Sequence, residues 1–229
     1  MRLEQVMFSQ GFGTRHECRG MILQGRVQIG GIVHDDPDEM VDVEALTFTV
    51  DGKDWPYFEK AIVALHKPSG FECSQKPIHH PSVMTLLPAP LRVRGVQPVG
   101  RLDEDTTGLL ILTDDGALQH RLIHPKKHVA KIYEVTCRHS INKAMVEKLL
   151  AGVMLDGEKK PVKADAIEIK SEHVLWMTIT QGKYHQVKRM IAAVSNRVDK
   201  LHRLGVGKYR LSEELALGQW CFIKKEDLI

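Results

Sequence analysis

The sequence predicts an α+β fold in two parts. A small helix-helix-hairpin unit over residues 1–50 precedes a larger domain over 61–229 built on a mixed, largely antiparallel sheet, with 51–60 as a linker. Three observations predict it. Apolar residues near the N-terminus recur at helical spacing, and two short β runs then meet at Gly30 and Gly31. Beyond Lys60, strand-like runs outnumber helical ones and several are neighbours along the chain.

Taken in order, Leu3, Val6 and Met7 mark a short amphipathic helix ended by Gly11. Thr14 and Glu17 form a capping box for a second helix with Cys18, Met21 and Ile22 on its apolar face, ended by Gly25. RVQIGGIV reads as a hairpin. Asp51 to Lys60 is polar and contains a proline, which predicts the linker. AIVALHK, GLLILT and KIYEVTC then read as strands, with ALQHRLIH and INKAMVEKLLAGV as helices. ADAIEI and HVLWMTIT predict a second hairpin, Tyr184 to Val194 a helix and VDKLHRL a last strand.

Composition narrows the function. The chain has 229 residues, 43% hydrophobic and 27% charged, as an ordinary globular protein does. No apolar run approaches the ~18 residues of a membrane span and MRLEQVMFSQ lacks signal-peptide features, so a cytoplasmic location without membrane attachment is expected. Cys18, Cys73, Cys137 and Cys221 are widely spaced, predicting reduced thiols and no zinc knuckle. The net charge of +3 is mild but unevenly placed. Lys183, Lys188, Arg189, Arg197, Lys200, Arg203, Lys208 and Arg210 are opposed only by Asp199, a pattern suited to a polyanion.

The densest chemical signal is GRLDEDTTGLLILTDDG, where Asp103, Glu104 and Asp105 precede an apolar run. As a calcium loop it places Asp103, Asp105, Thr107, Gly108 and Asp114 at suitable positions. Asp114 is short for the bidentate position, Ile111 cannot ligate, and Pro98 and Gly100 interrupt the incoming helix. The other reading holds Asp103 at a cleft edge ahead of a buried strand, with Glu104 and Asp105 facing solvent or capping amides. Pattern alone favours a structural turn. His120, His124 and His128 recur every four residues, but Pro125 breaks the helix between them, so no metal is predicted.

HKPSG, GRLDEDTTGLL, KIYEVT, GKYHQVKRM and LHRLGVG, in that order, closely resemble the motif series of the pseudouridine synthases, nearest the RsuA family that modifies ribosomal RNA. MRLEQVMFSQGFGTRHECRGMILQGRVQIGG likewise resembles the small RNA-binding domain named after ribosomal protein S-four. The resemblance implies a cofactor-free isomerase that breaks a uridine's N-glycosidic bond, turns the uracil and rejoins it through C5. It further implies Asp103 as catalytic carboxylate, Lys188 as its cationic partner and Tyr133 as the ring stacked on the target base, with Leu201 packing beneath.

Arg101, Lys67, His185, Gln186, Arg189 and Arg203 are expected to meet RNA, and Arg2, Arg15, Arg19 and Arg26 to do so in the acidic N-terminal unit. The expected partner is ribosomal RNA, 16S at position 516 by preference, free or in an assembling small subunit, and the expected state a monomer. A large-subunit target and a non-catalytic assembly factor are the alternatives.

Overall fold

The computed structural model describes residues 1–229. The chain divides into two compact units, Met1–Ala61 with Leu87–Gln97, and Ile62–Leu86 with Pro98–Ile229.

The first unit contains α1 (Leu3–Ser9), α2 (Arg15–Leu23), β1 (Val27–Ile29), β2 (Ile32–Val33), β3 (Thr47–Val50), β4 (Lys53–Pro56) and α3 (Ala89–Val93). The α2 capping box is formed: Thr14 Oγ1 accepts from the Glu17 amide at 3.2 Å, and Glu17 Oε2 accepts from the Thr14 amide at 2.6 Å. The strands make an antiparallel sheet in the order β2-β1-β3-β4.

Residues 51–60, expected as a linker, depart from that expectation. Asp51 and Gly52, both at positive φ, form a two-residue turn, and β4 pairs with β3 from Lys53 to Pro56. Trp55 explains why. It is buried, with Phe12 edge-on at 5.3 Å, so one face of a mostly polar strand belongs to the core.

The helix α3 had no clear sequence signal, being five residues long with Pro90 in its first turn. It completes this unit from a distance in sequence. Arg94 Nη1 donates to Gln10 Oε1 at 2.8 Å and Nη2 to the Phe58 carbonyl at 3.0 Å, while Gln10 Nε2 donates to that carbonyl at 3.0 Å. Gly11, at φ +87°, makes room: a Cβ there would lie 2.1 Å from the Pro90 carbonyl oxygen.

The second unit contains β5 (Ile62–Lys67), β6 (Gln97–Pro98, at the unit boundary), β7 (Thr107–Thr113), α4 (Gly116–Ile123), β8 (Lys131–Cys137) and α5 (Lys143–Ala151). It continues with β9 (Ala166–Ile169), β10 (Val174–Ile179), α6 (Gln186–Ala193), β11 (Val198–Val206), β12 (Tyr209–Arg210), β13 (Trp220–Phe222) and α7 (Lys225–Leu228). The main sheet runs β13-β5-β7-β11-β8-β10-β9. Along it β7 and β11 are parallel and every other neighbouring pair is antiparallel. This is the mixed, largely antiparallel sheet that the sequence predicts.

Ile62, Ala64, Leu109 and Ile111 pack one sheet face against Leu118 and Leu122 of α4 and Leu228 of α7. No helix is long and apolar enough to cross a membrane.

Candidate active site

The β7-β11-β8 order brings distant motifs together. The 100–106 loop enters β7, Leu201 and Arg203 lie two apart on β11, and Arg203 pairs in register with Tyr133 on β8. Gly108 permits the β7-β11 approach. It sits at φ +107°, and a Cβ there would lie 2.4 Å from the Arg203 carbonyl oxygen and 2.5 Å from its nitrogen. The glycine in the GRLDEDTTGLL stretch is thus required by a backbone crossing.

Lys67, expected at RNA, is instead fully buried beneath this loop. Its Nζ donates to the carbonyls of Thr106 at 2.8 Å and of Pro68 and Glu104 at 3.0 Å each. Burial depresses its pKa. A lysine in this position supports the loop and reaches no phosphate.

Above it, the Asp103 carboxylate lies between two cations or potential cations, Lys188 Nζ at 3.0 Å and His185 Nε2 at 3.2 Å. Lys188 also reaches Asp105 Oδ1 at 2.6 Å. Burial pushes the Asp105 pKa up and the Lys188 pKa down. In each, the hydrogen bonds and charge of the cluster outweigh burial, leaving Asp105 below and Lys188 above its ordinary value. Asp105 therefore does more than the solvent-facing role expected of it.

A cavity of about 740 Å³ opens beside this cluster, lined by Asp103, Tyr133, Lys188, Leu201 and Arg203 among others. Tyr133 and Leu201 are both buried in its wall. Arg203 is 3% exposed, and its Nε donates to the Leu109 carbonyl at 2.7 Å, with Nη1 3.5 Å from the Tyr133 hydroxyl. The guanidinium ties β11 to β7 and backs the tyrosine within the cavity wall, and its Nη2 is buried without a hydrogen-bond partner. Exposed Arg101 lines the same cavity without an ion-pair partner.

The α6 helix begins at Gln186, two residues later than predicted, because His185 adopts φ +46°. That turn directs the imidazole at Asp103. Gln186, also expected at RNA, is buried. Its Oε1 accepts from the Lys183 amide at 3.0 Å. Arg189 donates to the carbonyls of Tyr184 and Asp156.

The N-terminal arginines are more committed than predicted. Arg19 pairs with Glu4 and Asp38 at 2.9 Å each, Arg2 with Asp38 at 3.3 Å, and Arg26 with Asp51 at 2.5 Å. Arg15 lies over the Phe8 ring at 5.0 Å. The acidic residues of this unit neutralise much of its arginine edge. In the basic C-terminal stretch, Lys183 pairs with Glu158 at 2.5 Å, leaving Arg197, Lys200, Lys208 and Arg210 exposed and without ion pairs.

After β5, the Pro-flanked PIHHP segment reads as an exposed loop in the sequence and is one in the structure, but what anchors it was not legible. Glu72 accepts from the amides of Ile78, His79 and His80 at 3.1, 2.8 and 3.0 Å, curling this loop along the cavity. Those backbone bonds hold the Glu72 carboxyl below its usual value.

The chain is similar to known proteins along its whole length. Residues 61–193 match the family described as RNA pseudouridylate synthase, and residues 1–46 match the S4 domain. A Bacillus subtilis protein named as an uncharacterized RNA pseudouridine synthase is 39% identical over 235 residues, spanning all of this chain and 97% of its own. The ribosomal small subunit pseudouridine synthase A of Pasteurella multocida is 33% identical over 229 residues, spanning all of this chain and 98% of its own. A crystal structure described as a pseudouridylate synthase superposes with a TM-score of 0.70 at 32% identity, covering 99% of this chain and 97% of that one.

Proposed function

This chain belongs to the RNA pseudouridylate synthase family and is an isomerase, and from that premise we propose that it converts one uridine of small-subunit ribosomal RNA to pseudouridine. Position 516 of 16S rRNA, free or within an assembling particle, is the target we assign. The protein acts as a monomer in the cytoplasm in this reading. The observation that carries it is the Asp103 carboxylate, held 3.0 Å from Lys188 Nζ at a cavity that also presents Tyr133.

A uridine stacked in a helix hides its glycosidic bond, so the nucleotide is everted into the cavity at a cost of a few kcal/mol, least in a loop or unfolded segment. The cavity volume of about 740 Å³ lies within the range of small-molecule sites. Entry of the base removes water, which strengthens the attraction between the Asp103 carboxylate and Lys188 at 3.0 Å, and His185 sits at 3.2 Å on the other oxygen.

The buried Tyr133 ring faces the base, and Leu201 gives it an apolar floor. The glycosidic bond breaks at N1, the uracil turns while held by these walls, and C5 bonds to the ribose, the proton lost from C5 being matched by one gained at N1. The base and sugar gain and lose no electrons overall, so the change is an isomerisation.

The test is pseudouridine mapping in rRNA from cells lacking the protein, by carbodiimide-dependent reverse-transcription stops. The stop should be absent, return with the wild-type chain and stay absent with Asp103→Ala, whose folding and RNA affinity should persist because phosphates supply most of the binding. Full product from Asp103→Ala would reject the catalytic assignment.

A further inference from the structure

Tyr184 is 77% exposed, yet its ring has a fixed neighbour. It stacks on His185 with centroids 3.8 Å apart and planes 19° from parallel. His185 is tethered in turn, its Nε2 lying 3.2 Å from Asp103 Oδ1. The backbone beneath is pinned: Arg189 Nη1 donates to the Tyr184 carbonyl at 3.2 Å, and its Nη2 donates to the Asp156 carbonyl. Tyr184 and His185 both line the cavity that holds Asp103.

A ring kept for packing would be buried, and a phenol kept for a hydrogen bond would have a partner. Tyr184 is exposed and its hydroxyl makes no hydrogen bond. Folding gains little from an aromatic face left to solvent. What the arrangement provides is a π surface at a fixed distance from the carboxylate, with one face backed by imidazole and the other turned outward. Every nucleobase can stack on such a face, whatever its sequence. Eversion of a uridine also deprives the adjoining base of a stacking neighbour, which creates the need that this surface meets.

We propose that Tyr184, backed by His185, is a stacking platform for the nucleobase adjoining the target uridine. The inference rests on the reading that the substrate is a uridine in RNA, and it adds a second base subsite beside the one at Tyr133. The platform contributes RNA affinity and register, while the bond-breaking step stays with Asp103.

The test compares the full-length wild-type, Tyr184→Phe and Tyr184→Leu proteins on 16S rRNA stem-loop fragments carrying 2-aminopurine immediately 5′ or 3′ of position 516. Phenylalanine keeps the ring, whereas leucine keeps bulk and loses the π face. In one of the two fragments, fluorescence should be quenched on binding to wild type and Tyr184→Phe but not to Tyr184→Leu. The leucine variant should bind about tenfold or more weakly, with kcat at saturating RNA nearly unchanged.

Equal quenching and affinity in all three proteins would overturn the platform. A fall in kcat alone would overturn it as well, since Tyr184 would then act through His185 on Asp103. If wild type makes no pseudouridine in these fragments, the proposed target fails, and the same three proteins are compared on fragments with 2-aminopurine beside the uridine that the mapping identifies, where equal quenching and affinity would overturn the platform.

Discussion

At the scale of single residues, one ammonium serves two carboxylates. Lys188 lies 3.0 Å from Asp103 and 2.6 Å from Asp105, so the cluster depends on it from both sides. Asp105 has a folded pKa below 3.8; its share of stability is present above that value and is lost as pH falls through the lowered one. Lys188 has a folded pKa above 10.5; its share is intact below that value and is lost as pH rises through the raised one. With Lys188→Met, the hydrogen bond and charge that chiefly oppose burial at Asp105 are gone, and its carboxyl should titrate higher than in the wild-type protein, as read by carbon-detected NMR. Titration unchanged in that variant would show that Lys188 is not what holds it down. Asp105→Asn should leave most product formation intact, because Asp105 is mostly exposed and such pairs contribute ~0–1 kcal/mol. Complete loss of product in Asp105→Asn would show instead that Asp105 takes part in the reaction. Asp103 and Lys188 were legible because a long motif surrounds each. Lys67 and Gln186 were misread because a polar side chain turned inward has the same letter as one turned outward, and only the fold reveals three carbonyls around an amine.

At the scale of elements, the strands of the main sheet were legible from apolar runs, since β5 and β7 are buried nearly throughout. The β4 strand was not, because a single tryptophan carries its buried face and the rest is polar. The start of α6 was shifted by a left-handed histidine, a conformation that residue type alone seldom betrays. The parallel β7-β11 pair was equally invisible, although its glycine stood within the most recognisable motif. Gly108→Ala combines a φ of +107° with a Cβ 2.4 Å from a carbonyl oxygen on β11, so the strands must move apart. Destabilisation of about 3 kcal/mol or more is expected, measured by urea denaturation, together with loss of product as Asp103 and Tyr133 separate. Wild-type stability in this variant would mean that the two strands do not approach as described.

At the scale of the whole molecule, the order of domains was legible, and the path of the chain between them was not. A single polar linker was expected, yet the chain passes between the units after Ala61, after Leu86 and after Gln97. Truncation to residues 62–229 therefore leaves Leu87–Gln97, including fully buried Leu91 and Val96, without the unit to which it belongs. That fragment should aggregate on size-exclusion chromatography, and replacing 87–97 by a short Gly-Ser connection should restore a monomer. A well-behaved fragment with 87–97 retained would show that α3 does not need the first unit. The same threading bears on synthesis. Gln10 and Gly11 are made well before Pro90 and Arg94, so the residues that meet them are still missing when the N-terminal helices first emerge. The N-terminal module is consequently finished late, and nascent chains arrested before residue 97 should be conspicuously open to protease there.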